Sequence, residues 1–329
     1  MRRALSVGFV PHAIFVACVW ALLRADAFSG HGRWGDAVPH TLAGIAGAAF
    51  GICSCAAVLG LLLHPFQIRA VRMLEGYWGR WTATARLAGV MVRYQRRRRR
   101  SLEAIVPEAT VLGADLPVSA DERDPATPPT ESPSERGRRA ATAREWARAD
   151  GAHRLAALPP SETLLPTALG NALRAGELRA GERYGLTTLT SWPRIYPQMS
   201  RPLAAVVSSA RDTLDTAVNL CYSFSACGVV SGAAVLDEPG MWWLPAGSLG
   251  AAALAYKGAV TAAQGYAHLM HVVYDLHRFD LVRAMHHPLP DREGEWDLFQ
   301  RISDALADRA ADLPYDHGRP GQAETGGTA

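Results

Sequence analysis

His268, His271 and Asp275 follow one another at intervals of three and four residues. On a helix that spacing puts two imidazoles and a carboxylate on one face, with Gln264 a turn before them. These side chains are common ligands of a divalent metal, so the trio is the chain's metal candidate. The signal is thin: His-x-x-His lacks the Glu of a metalloprotease helix, and no second ligand group is apparent in the sequence. The competing reading pairs the same residues with arginines of neighbouring helices, Arg174 or Arg183.

A second constellation joins Glu177, Glu182 and Arg183 to Asp275, His277, Arg278 and Asp280. A hydrolytic or transfer site needs such acids and bases, and so do the ion pairs that lock helices together. GxSxG, a Walker loop and GxGxxG after a strand are all absent from the sequence. The five cysteines, Cys18, Cys53, Cys55, Cys221 and Cys227, all fall inside apolar stretches and read as small buried residues without a disulfide framework. No cofactor is expected, and an enzyme is less favoured than a binding protein.

The elements that must carry these residues are set by four apolar stretches, Ser6–Leu23, Thr41–Phe66, Ala217–Leu236 and Met241–Ala263. Each approaches the ~20 residues a helix needs to cross a hydrocarbon core of about 30 Å. Met1-Arg2-Arg3 and Ala25-Asp26-Ala27 also resemble the ends of a signal peptide, but the apolar run is long for one and Arg24 crowds the cleavage site. Orientation follows from arginine. Arg69, Arg72, Arg80, Arg86, Arg93 and Arg96–Arg100 follow the second stretch, whereas Asp237-Glu238-Pro239-Gly240 between the last two holds no basic residue. Both termini and the middle segment are therefore expected in the cytoplasm. Trp20, Trp242 and Trp243 sit where aromatic rings favour the outer headgroup zone, and Lys257, the one lysine among 34 basic residues, lies near the inner end.

The fold class expected is all-α: a polytopic membrane protein with four transmembrane helices in two hairpins and a helical cytoplasmic region. Residues 1–66 form the first hairpin and 67–106 a basic amphipathic helix with Val71, Leu74, Trp78, Trp81, Ala85, Ala88 and Val92 on one stripe. That stripe either lies on the inner leaflet, with Arg96, Arg97, Arg98, Arg99 and Arg100 facing anionic lipid, or packs on other helices. The net charge of +3 is too small to point to nucleic acid. Residues 107–137 read as a disordered proline-rich linker, 138–202 as a cytoplasmic helical segment, 203–263 as the second hairpin, 264–312 as cytoplasmic helices and 313–329 as a disordered tail.

Within these, Thr167 is expected to cap a helix that runs to Gly185, and Asp291 to cap the final helix. Ser191 to Pro197 is expected to be extended or turning, because proline follows Trp192 and Tyr196. Gly47-x-x-x-Gly51 and Gly228-x-x-x-Gly232 allow close helix approach, preferentially within the chain itself.

Three segments resemble a group of uncharacterised bacterial four-span membrane proteins: Glu75-Gly76-Tyr77-Trp78; Pro166-Thr167-Ala168-Leu169-Gly170-Asn171 through Arg183-Tyr184-Gly185-Leu186 to Trp192-Pro193-Arg194; and Asp275-Leu276-His277-Arg278-Phe279. The resemblance implies the topology and no activity; the group is expected to carry Arg where this chain has Ala168. The functional expectation is a membrane-anchored scaffold or sensor with a cytoplasmic partner-binding region, in contact with the lipid bilayer and with a protein partner or a second copy. The alternatives are an oligomeric channel or permease component, and a membrane enzyme acting at the inner leaflet.

Overall fold

The computed structural model describes residues 2–30, 32–78, 82–106, 133–307 and 309. Most of the proline-rich linker, Trp81 and the C-terminal tail lie outside the described residues. Among those described, every regular element is helical: α1 (Arg2–Arg24), α2 (Leu42–Leu63), α3 (Gln67–Glu75), α4 (Thr82–Ile105), α5 (Pro133–Ala156), α6 (Ala168–Arg179), α7 (Thr188–Ile195), α8 (Arg201–Ala234), α9 (Trp243–Ala284) and α10 (Glu295–Leu306). Two stretches, Leu42–Glu75 and Arg201–Ala234, are long and apolar enough to cross a membrane, and α1 holds a shorter apolar run, Gly8–Arg24.

The pair α8 and α9 organises the molecule. At 1.5 Å per residue, helices of 34 and 42 residues are about 51 and about 63 Å long. Their seam is made of small and branched side chains: Val218 and Val207 on α8 face Ala259, Ala263 and Val273 on α9, and all are essentially sealed. A Cβ on Gly228 would lie 2.8 Å from Leu249, so this glycine is where α8 comes close to α9. Gly47 and Gly51 on α2 have nothing within 4 Å of an added Cβ. An added Cβ on Gly232 would lie 3.7 Å from Pro245 of α9, so the intramolecular packing expected of both small-residue pairs holds for Gly228 and Gly232 and not for Gly47 and Gly51.

α1 packs on α8 and α2, and α2 is otherwise almost bare: its apolar window is 6% buried, against 44% for that of α8. Cys53 and Cys55 are exposed on it, contrary to the expectation that all five cysteines are buried; Cys221 and Cys227 on α8 do fit that expectation. Opposite the base, the Glu238 carboxylate accepts the Gly32 N–H and, at 2.7 Å, the Trp34 indole N–H. One side chain thereby joins the α1–α2 loop to the α8–α9 loop.

Several boundaries differ from those read in the sequence. The single helix expected over 67–106 is two, because Gly76 adopts φ +98°, a left-handed conformation that ends α3. A side chain there would also press on Pro166, 2.9 Å away. α5 starts at Pro133, inside the expected linker, since proline suits the first turn of a helix, where its missing N–H goes unused. The helix capped by Thr167 stops at Arg179, and Gly185 (φ +88°) instead ends a following 3-10 turn, Glu182–Tyr184. Asp291 accepts from the Gly294 N–H and caps a turn, so α10 begins later, at Glu295.

The largest revision is α7. Ser191 to Ile195 is helical although Pro193 lies inside it, and Tyr196–Gln198 follows as a 3-10 turn. Tertiary packing outweighs local preference here: Ile195 is fully buried, Ser191 bonds to Thr187, and Trp192 stacks on Tyr274.

Two glycines of α6 mark its closest approaches. An added Cβ on Gly176 would sit 2.4 Å from the Ala267 Cβ, and one on Gly170 would sit 2.1 Å from the Glu75 carbonyl oxygen. Gly176→Ala is therefore expected to destabilise the protein by about 1–3 kcal/mol through overpacking. Gly258→Ala, on the same α9 seam partner but with nothing within 4 Å, should be neutral or slightly stabilising. Thermal unfolding of both variants in one detergent checks the contrast.

Candidate functional site at the helical base

The segments around Glu75, Thr167–Asn171 and Arg183–Trp192 come together with α9 in space. Thr167 caps α6 by accepting the Gly170 N–H at 3.0 Å, and its hydroxyl donates to the Glu75 carbonyl at 2.8 Å, tying α6 to the end of α3. Asn171 is fully buried and holds both backbone groups of Leu165, accepting its N–H at 2.7 Å and donating to its carbonyl at 3.0 Å. A buried amide satisfied this way fixes the approach of the loop to the helix.

Further along, Trp192 packs among Tyr196, Tyr266 and Tyr274, stacked on the last with ring centroids 6.1 Å apart. The fully buried Tyr274 hydroxyl donates to the Thr188 carbonyl and lies 2.8 Å from the Ser191 hydroxyl. Burial raises the Tyr274 phenol well above its ordinary value, which keeps it a neutral donor. The aromatic-proline segment thus docks onto the α9 extension.

The candidate polar cluster divides into separate networks. Glu177 does not meet Arg183: it binds Arg174 at 2.9 Å, and Arg174 reaches Glu182 at 2.8 Å. Burial opposes the Arg174 charge, but its bonds to Glu177 and Glu182 prevail and its pKa is raised. Helix α6 turns Glu177 and Arg174 to the same side, three residues apart, which is why they find each other first. Arg183 lies 3.2 Å from Asp275 and also donates to His271 and to the Tyr184 hydroxyl, which in turn donates to Asp275. Arg278 binds Glu295 of α10 at 2.9 Å, caps the Asp275 carbonyl at 2.7 Å, and lies over the Tyr184 ring. His277 turns aside to Asp280 at 2.9 Å.

The metal trio is not assembled. His271 Nε2 lies 3.3 Å from Asp275 Oδ2 and the Arg183 guanidinium is bonded to both residues, while the His268 ring stands edge-on, 6.4 Å from that of His271. Among the described residues no three His, Cys, Asp or Glu side chains converge as a metal-holding group. The reading in which these residues pair with Arg183 is the one realised.

The five arginines of α4 likewise do not act together. Successive residues on a helix turn by about 100°, so five in a row cannot face one surface. Arg99 turns inward, binding Glu103 at 2.7 Å and the Pro159 carbonyl, while Arg96, Arg97, Arg98 and Arg100 are exposed. Beneath Arg99, Leu102 packs with Leu158 and Leu164, so the lower end of α4 is covered by protein.

Two features escaped the sequence reading. One is the role of Glu295 and Tyr184 as partners for Arg278 and Asp275. The other is a cavity of about 770 Å³ between α3, α6, α7, α8 and α9, lined by Arg72, Glu75, Tyr77, Glu177, Trp192 and Tyr266 among others. Burial, then the Glu177 charge, raises the Glu75 carboxyl above its usual range, with Arg211 and Arg72 opposing. The signal that pointed here was the Glu75-Gly76-Tyr77-Trp78 segment itself, whose glycine turns the chain against α6. No protein-family model, curated protein or solved structure matches the chain.

Three measurements follow from this geometry. Arg183 and Asp275 are 42% and 38% exposed, so their coupling in a double-mutant cycle should be only about 0.2–1 kcal/mol. Tyr274→Phe, which strips a buried hydroxyl from Thr188 and Ser191, should cost about 1–3 kcal/mol. Burial lowers the His271 pKa below 6.5, Arg183 acting the same way and Asp275 against. The folded state then binds fewer protons, so stability should fall as pH drops through and below about 6.5. Unfolding of wild type and His271→Gln between pH 7.5 and 5 should show a shallower loss in the variant.

Proposed function

We propose that the chain is a four-span protein of a bacterial inner membrane, with termini and helical base in the cytoplasm, working as a membrane-anchored scaffold or sensor. One observation carries this reading: α8 and α9 run unbroken from the apolar half of the molecule into the base. α9, which lines the apolar seam with α8, carries Asp275 and Arg278 at its other end and stacks Tyr274 on Trp192 of α7. A rigid element with one end in each environment relays a tilt or shift between them.

The bareness of α2 supports a lipid surrounding. Leu42, Phe50, Leu61 and Leu62 are each more than 60% exposed, an apolar face that water would not leave uncovered. The arginine bias after the second stretch and the uncharged-to-acidic Asp237–Gly240 turn support the orientation. The resemblance of three base segments to bacterial four-span proteins supports the same topology. On the cytoplasmic side, exposed Arg96, Arg97, Arg98 and Arg100 suit anionic lipid or an acidic protein partner, and α4 with α5 projects a surface rich in charge. Paired rather than converging acids and bases favour binding over catalysis.

Protease added outside intact cells should leave residues 96–160 uncut, and cut them once the membrane is opened; cleavage from outside would overturn the topology. Deletion of residues 82–156 should abolish capture of cytoplasmic partners that cross-link to the full chain. Equal recovery from both chains would end the scaffold reading.

A further inference from the structure

We propose that the cavity at the base binds the head of an amino-phosphate amphiphile, taking its ammonium at Glu75 and its phosphate at Arg72. The inference rests on the four-span reading only for where the cavity lies, and deepens its sensor half by naming a ligand class.

The charges of the lining decide the chemistry. Glu177 is occupied by Arg174, and Arg211 is occupied by Asp215 at 3.3 Å. Glu75 and Arg72, three residues apart on α3, make no side-chain hydrogen bond or ion pair among the described residues. They leave the cavity with one open negative and one open positive group. A purely anionic ligand would meet the Glu75 and Glu177 carboxylates, and a purely cationic one would meet Arg72 and Arg211. A ligand with both charges a few bonds apart meets neither penalty.

The walls add a second constraint. Trp192, Tyr266 and Tyr77 line the cavity together with Glu75, and the Tyr266 ring holds the Arg211 guanidinium 5.7 Å from its centroid, so an aromatic wall here already lies within reach of a cation. Tyr77 is exposed, so the site is open on that flank. The volume of about 770 Å³ falls within the usual range for small-molecule sites and exceeds what a bare headgroup fills.

Position supplies the third. α3 continues from α2 through the short turn His64–Phe66, so the cavity begins within one turn of the apolar segment. Ile68 lines it and is 64% exposed, and the neighbouring Phe66 is also exposed. An apolar rim next to a dipolar interior suits a molecule with an acyl chain and a zwitterionic head. The same head occurs free in solution as O-phosphoethanolamine, and the experiment separates the two sources.

The test uses the full-length protein in a mild detergent, offered equimolar phosphatidylethanolamine, phosphatidylglycerol and phosphatidylcholine, with bound lipid read by native mass spectrometry. Phosphatidylethanolamine should be retained about tenfold over each of the others, roughly what one charge-assisted contact supplies. Glu75→Gln should abolish the preference over phosphatidylcholine, whose methylated ammonium cannot donate to a carboxylate. Arg72→Gln should reduce retention of phosphatidylethanolamine while the protein still melts as a folded species; if Glu75→Gln does not fold, this second variant decides. Displacement of the lipid by millimolar O-phosphoethanolamine would assign recognition to the head alone, and its failure to displace would assign it to the intact lipid. Equal retention of the three lipids, or an unchanged preference in the folded variants, overturns the proposal. A micelle has no sides, so this result stands or falls apart from the protease and deletion experiments.

Discussion

The close seam between α8 and α9 is the constraint on which the remaining structure depends. Ala259, Ala263 and Gly228 keep the two axes near enough for Val207, Val218 and Val273 to interlock along their shared length. Dispersion between such side chains is weak per contact and large in sum, and it works in lipid as it does in water. α1 leans on α8 at one end, and α6 and α7 lean on α9 at the other, with α10 set against α7 and tied to α9 through Arg278–Glu295 and Phe279–Phe299. The base is therefore a set of short helices fitted to a preformed rail. Short helices such as α7 are marginal in isolation and owe their shape to what they touch.

The base holds together by matched polar groups as much as by apolar burial. Asn171, Thr167 and Thr188 each satisfy backbone atoms that would otherwise be stranded at helix ends and turns. The ion pairs divide by neighbourhood: Arg174 gathers the acids of α6 and the turn after it, Arg183 joins the turn to α9, and Arg278 joins α9 to α10. The more exposed Arg183–Asp275 pair adds little stability, and the half-buried pairs of Arg174 and Arg278 chiefly fix which surfaces meet. That explains why a chain with many acids and histidines in one region still assembles no metal group there among the described residues.

Long elements were readable from residue types alone and short ones were not. The extent of α2 follows from an apolar run bounded by Thr41, and the places of α8 and α9 from apolar runs that meet at the Asp237–Gly240 turn, although both helices continue well beyond those runs into charged sequence. The convergence of His271, Arg183 and Asp275 was half visible: helical spacing put two on a face, and only the fold could say which arginine would arrive. Glu177 was grouped with Arg183 and Asp275 in one cluster, and the fold pairs it with Arg174, which lies three residues away on its own helix. α7 was missed since Pro193 argues against a helix, while the stacking of Trp192 on Tyr274, which reverses that preference, joins residues 82 positions apart. Gly76 ended α3 through backbone geometry that an apolar stripe does not register. The cavity was invisible for the same reason: its walls come from five helices scattered over the chain.

The grip of Glu238 on Gly32 and Trp34 carries a mechanical consequence. One carboxylate fastens the two loops farthest from the base, so the α1–α2 and α8–α9 hairpins share a pivot at that end. At the opposite end the same two arms are joined again, where the Tyr222 hydroxyl of α8 donates to the Ala70 carbonyl of α3 at 2.9 Å. The hairpins are thus clasped at both ends, and α3 and α8, two of the walls enclosing Arg72 and Glu75, are held at a fixed spacing by a bond that strain at the far loops would have to break to widen that space.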